Sequence, residues 1–115
     1  MQIGSGTCIN GANIQVKSTI TIGDRCHIAS GVQITDSNGH QTYCYDRCDE
    51  DRAIPIRIGN NVWIGLNSIV LKGTEIGDNS IVSAGSVVKG SFPAYSLISG
   101  NPARIIKQLD PEKFK

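Results

Sequence analysis

Neither sign of charge is in excess in this chain: eleven Lys and Arg stand against ten Asp and Glu, for a formal net charge of +1. Without a basic surplus, nothing in the composition points to nucleic acid or an anionic membrane surface, so a partner has to be read from a site. Long apolar runs are missing as well. There is no stretch of ~18 apolar residues, and no charged start followed by an apolar segment and a small-residue cleavage site, so neither a membrane span nor a signal peptide is expected. A cytoplasmic location follows as the default, and the four cysteines then read as free thiols rather than a disulfide framework. The 115 residues leave room for one domain, 1–115, against a usual ~100 to 200 residues per domain.

What fills the chain is a period. Ile-Gly pairs recur at Ile3, Ile22, Ile58, Ile64 and Ile76, and from the middle onward Ile58, Ile64, Val70, Ile76, Val82 and Val88 follow one another at a spacing of six. Upstream, Ile3 and Ile9 lie on the grid, which slips by one residue and resumes through Val16, Ile22, Ile28 and Ile34; the slip predicts a bulge or a widened corner. A period of six is neither helical (about 3.6) nor the alternation of a strand (about 2), so each unit must be a short strand plus a turn. Gly, Asn and Asp after the aliphatic residue suit the turn, because they tolerate positive φ or bond their own backbone. The aliphatic first residue then points inward, and a small or β-branched fifth residue (Val62, Ser68, Thr74, Ser80, Ser86) fits near the corner. One unit cannot bury its apolar side alone, so coils must stack, and a parallel β-helix is the natural solution.

Two stretches leave the grid. Residues 35–55, with Asn38-Gly39-His40 and a polar run from Cys44 to Arg52, read as an extended loop, and a long loop in a repeat domain is more often functional than accidental. Residues 93–115 read as a short C-terminal extension: Pro93, Pro102 and Gly100-Asn101 stop the repeat, and Asp110-Pro111 sets the cap and first turn of a short helix.

The segments Ile58-Gly-Asn-Asn-Val-Trp-Ile-Gly65, Ile76-Gly-Asp-Asn-Ser80, Ala84-Gly-Ser-Val-Val88 and Gly100-Asn-Pro-Ala-Arg104 resemble the hexapeptide-repeat acyltransferases, closest in pattern to the galactoside, maltose and polysaccharide O-acetyltransferases. The resemblance covers nearly the whole chain. It implies an all-β, left-handed parallel β-helix, a homotrimer, and acetyl-CoA lying between two prisms. It further implies that His40 acts as general base, taking the proton of an acceptor hydroxyl as that oxygen attacks the thioester. Imidazole suits this step because its reference pKa of ~6.5 lets it accept a proton near neutral pH. Backbone contacts to the cofactor are implied near Gly65 and at Ala84, with Arg104 and Lys107 meeting its phosphates. Lys89 is a further phosphate candidate, displaced by one position from the family pattern. Trp63, at an outward position, is assigned to a subunit interface or a ligand wall. Asn38 and Asp36, beside His40, are candidates for substrate or interface contact. The acceptor would be a sugar or small metabolite, through a hydroxyl or less readily an amine.

Rival readings use the same residues. His40, Cys44 and Cys48 recur every four positions and would bind zinc if helical, but the loop's composition does not favour a helix and the two-residue cysteine spacing is absent, so no metal is expected. His27 is read as a surface residue, and Cys8 and Cys26 as small residues at coil corners. The repeat starts at Ile3 with no preceding helical or acceptor-binding segment, which leaves a non-catalytic trimeric scaffold as the alternative. Asn10 and Asn13 receive no role.

Overall fold

A computed structural model of the chain describes residues 1–37 and 53–115. These form a left-handed parallel β-helix of about four turns, with three flat faces. The first face carries β1 (Gln2–Ile3), β4 (Ile20–Ile22), β7 (Ile56–Ile58), β10 (Glu75–Ile76) and β13 (Ser91–Phe92). The second carries β2 (Cys8–Ile9), β5 (His27–Ile28), β8 (Trp63–Ile64), β11 (Ile81–Val82), β14 (Ser96–Gly100) and β15 (Ala103–Gln108). The third carries β3 (Asn13–Gln15), β6 (Gln33–Thr35), β9 (Ile69–Val70) and β12 (Val87–Val88). All neighbours pair in parallel except β14 and β15, an antiparallel hairpin that closes the second face. Among the described residues no helix is long and apolar enough to cross a membrane.

The period is the core. Ile22, Ile58 and Ile76 stack on one face, Ile28, Ile64, Val82 and Ile98 on the second, and Ile34, Val70 and Val88 on the third, all buried. Each such side chain removes roughly 1.5–3 kcal/mol worth of apolar surface from water. The fifth-position residues are buried too, and the Ser and Thr hydroxyls among them are bonded at the corners: Thr74 Oγ1 donates to Leu71 O at 2.7 Å, and Ser86 Oγ to Ser83 O at 2.8 Å.

The slip in the grid does not fall where Val16 would put it. Ile14, not Val16, faces the core and pairs with Ile34; Val16 is 40% exposed. The compensating residues sit between β3 and β4, where Lys17 N–H and Ser18 N–H each donate at 2.7 Å to the two carboxylate oxygens of Asp36. That corner is widened, and a buried carboxylate satisfies the backbone it opens. The corner reading holds for Cys26 and fails for Cys8, which lies exposed on β2 beside His27.

Candidate functional site

The outer side of the second face differs from the others. Its outward column runs Cys8, His27, Trp63, Ile81 and Leu97, whereas the first face presents Gln2, Thr21, Arg57, Glu75 and Ser91. Alternation forces this result: with Ile28, Ile64 and Val82 turned inward, the residue before each must point out. Trp63 therefore stands 54% exposed in the middle of the face.

Two cavities flank the indole. One, of about 440 Å³, is walled by Trp63, Ile81, Leu66 and Ala29 and floored by Gly65, Val82, Ser83 and Ala84. Gly65 and Ala84, the two residues expected to offer backbone to a cofactor, thus bound a single apolar recess. Gly65 cannot be anything else here, since a Cβ at that position would lie 2.7 Å from the Ala84 nitrogen. Its own N–H donates to Val82 O at 2.8 Å, which locks the floor. Among the described residues no charged side chain lines this recess. The second cavity, about 460 Å³, lies between Trp63 and Phe114, with His27, Asn61 and Ile81 completing it. A third recess, about 540 Å³, opens on the first face around Arg57, Glu75 and Phe92 and contains none of the residues picked from the sequence.

The cations divide by corner. Arg104 is the strand partner of Ser99, whose hydroxyl accepts a 2.6 Å bond from Ser83 in the lining of the 440 Å³ recess. Arg104 therefore stands on the same edge as Gly65 and Ala84. Lys107 pairs with Leu97, further back along the hairpin. Lys89 follows β12 at the corner leading to the first face, a different edge of the prism. All three are exposed.

Asp36 is fully buried, with both oxygens engaged by Lys17 and Ser18 backbone. His40 and Asn38 lie outside the described residues, as do Cys44 and Cys48, the other members of the zinc alternative. Among the described residues no group of three or more His, Cys, Asp or Glu could hold a metal. The sequence reading of His27 as a surface residue agrees with its exposure, whereas nothing in the sequence singles out Phe114. His27 is the register partner of Trp63 although the two lie 36 residues apart, twice the 18 that separate Trp63 from Ile81, so counting alone does not pair them; Phe114 reaches the cavity by a fold-back that no local pattern announces.

Strand, turn and buried aliphatic, repeated every six residues around three faces, define a hexapeptide-repeat protein. The family description "hexapeptide repeat of succinyl-transferase" matches residues 3–36 and 55–89, and the chain belongs to that family. It is 40% identical over 93 residues to galactoside O-acetyltransferase of Escherichia coli K12, a match covering 80% of this chain and 45% of the relative. Its fold superposes on a hexapeptide-repeat-containing acetyltransferase from Vibrio cholerae with a TM-score of 0.82 at 36% identity, covering 94% of this chain and 62% of that one. A galactoside acetyltransferase in complex with coenzyme A gives 0.77 at 32% identity, with 98% and 62% covered. The chain thus spans about half to two thirds of the length of these proteins.

Proposed function

We propose that this chain transfers the acetyl group of acetyl-CoA to a hydroxyl of a sugar or small metabolite, as a homotrimer with the cofactor in the groove between two prisms. The observation that carries the reading is the convergence of Gly65, Ala84 and Trp63 on one recess of about 440 Å³ with apolar walls among the described residues, with Arg104 on the same edge. An apolar slot open to exposed backbone suits a slender acyl arm, and a guanidinium beyond its end suits phosphate. Lys107 and Lys89 are further phosphate candidates. Lys89, on another edge, would act only from a neighbouring prism.

In the reaction His40 takes the proton of the acceptor hydroxyl as the oxygen bonds to the thioester carbonyl carbon. The tetrahedral intermediate collapses, the C–S bond breaks, and the proton passes to the departing thiolate. No covalent enzyme intermediate is required. Support comes from relatives named as O-acetyltransferases and from neighbours solved with coenzyme A or acetyl-CoA bound. The test is release of free thiol from acetyl-CoA against a panel of sugars, aminosugars and amino acids. Turnover with a hydroxyl acceptor is expected; a trimer that binds no acetyl-CoA and releases no thiol with any acceptor would favour the scaffold reading.

A further inference from the structure

We infer that Ser83, Ser86 and Ser99 form a hydroxyl clamp that positions Arg104 for the phosphates of the cofactor. Val82-Ser83 occupies the place that Ile64-Gly65 holds one coil earlier. Gly65 has no room for a Cβ, because the Ala84 nitrogen of the next coil would lie 2.7 Å from it. No further corner is built over Ser83: β14 ends at Gly100, and the chain reverses into β15. The room left by that reversal admits side chains, and two hydroxyls fill it. Ser83 Oγ donates to Ser99 Oγ at 2.6 Å. Ser86, buried, grips the same turn by its backbone. Its Oγ donates to Ser83 O at 2.8 Å, accepts the Gly100 N–H at 3.2 Å and lies 3.3 Å from Ser83 Oγ. Ser83 is itself fixed, since its N–H donates to Ile98 O at 2.9 Å and its carbonyl also accepts Ser68 Oγ at 3.1 Å. The hydroxyls of Thr74 and Ser96 donate to carbonyls, whereas Ser83 and Ser99 bond hydroxyl to hydroxyl between coils. The clamp thus joins the lining of the 440 Å³ recess, to which Ser83 belongs, to the turn after β14.

What it holds is the start of β15. Arg104 pairs with Ser99 and Ala103 with Gly100, so the two residues gripped by hydroxyls lie opposite the strand that carries the guanidinium. β15 is the edge strand of its face, and residues 104–108 are exposed. A cation on a loosely held edge strand must be ordered when it meets a phosphate, and that ordering costs affinity. Tying Ser99 and Gly100 to the recess lining sets the span between acyl arm and phosphate contact before the cofactor arrives. Ser83 and Ser99 act through Arg104 and are positioning residues. The inference rests on the proposed binding of acetyl-CoA in the recess.

The full chain is titrated calorimetrically with acetyl-CoA as wild type, Ser83→Ala, Ser99→Ala, Ser99→Thr, Arg104→Ala and the Ser99→Ala/Arg104→Ala double variant, with a urea midpoint for each. Ser83 and Ser99 are half-buried, so their truncation leaves the core intact; the buried Ser86 is left in place. Ser83→Ala and Ser99→Ala should each weaken acetyl-CoA binding about three- to tenfold, the equivalent of one hydrogen bond. Ser99→Thr, which keeps a hydroxyl, should stay within about twofold of wild type. In the Arg104→Ala background, Ser99→Ala should weaken binding less than about twofold further, since no guanidinium remains to be placed. Equal losses in both backgrounds, with a lowered urea midpoint, would mark a merely structural clamp and overturn the inference. Acetyl-CoA affinity indifferent to Ser83→Ala and Ser99→Ala would overturn it too, and leave the acetyl-transfer reading standing. A wild type that binds no acetyl-CoA would overturn that reading and the clamp's role with it.

Discussion

Asp78 Oδ1 accepts the backbone N–H of Asn60 at 2.8 Å, one coil away. The same bond repeats down the edge: Asn60 Oδ1 accepts from Asp24 N–H and Asp24 Oδ1 from Ser5 N–H, both at 2.8 Å. This ladder gives the third residue of the Ile-Gly-Asp/Asn unit its purpose, which is to satisfy the turn of the coil beneath. Asn60→Ala should destabilise the fold by roughly 0.5–1.5 kcal/mol, the net worth of such a bond, while Asn60→Asp should cost less because Asp already serves at two rungs. Urea denaturation checks this; equal stability of wild type and Asn60→Ala would contradict it.

Arg25 occupies a position held elsewhere by Gly6, Asn61 and Asn79, with φ of 56°. A side chain other than Gly or Asn pays roughly 1–2 kcal/mol for left-handed backbone. Arg25→Asn should therefore raise stability by about 0.5–1 kcal/mol, read as a higher urea midpoint with an unchanged slope. A lower midpoint would show that the arginine side chain contributes more than its backbone costs.

Burial pushes the Cys26 thiol up from its ordinary value, and its Sγ–H, donating to Gly59 O at 3.1 Å, favours the same protonated form. Cys8 is exposed. Iodoacetamide at pH 8 should label Cys8 in the native protein and spare Cys26, as peptide mapping would reveal. The folded pKa lies above the unfolded one, so this contribution to stability is complete below about pH 8.5 and is lost as pH rises through the folded value. Cys26→Val, matching Val62 one coil on, should remove that alkaline loss. Equal labelling of the two thiols would refute the burial argument.

Six-residue periodicity revealed the prism because corner chemistry in a β-helix is local: an aliphatic residue, a glycine and an Asx state where the chain turns. It did not place the slip. Val16 and Ile14 are both β-branched and aliphatic, and only the widened corner held by Asp36, 18 and 19 residues away, decides which one faces the core. Alternation correctly pointed Trp63 outward, and Gly65 and Ala84, singled out by the motifs, line one recess beside it. The edge on which each cation stands was available by counting, since six residues advance the chain one face and Lys89 lies one corner beyond Ala84. The Phe114 wall depends on the hairpin and its return across Tyr95, which is tertiary information.

Arg104→Ala should weaken acetyl-CoA binding by roughly 1–2 kcal/mol, the expected loss of one charge-assisted phosphate contact, with turnover at saturation nearly unchanged. Calorimetry and saturation kinetics together test it. Unchanged affinity would move the phosphates elsewhere, and a fall in turnover alone would place Arg104 at the chemistry instead.

The most direct test is His40→Ala, assayed for acetyl-CoA turnover with a verified acceptor while acetyl-CoA affinity and oligomeric state are measured on the same preparation. Turnover should fall ~100- to 10,000-fold, the range for removing acid–base catalysis, with cofactor affinity and thermal stability nearly unchanged. Wild-type activity should rise with pH through a transition near the imidazole's ~6.5, as the neutral base becomes available. A wild-type rate in an intact His40→Ala trimer would contradict the account.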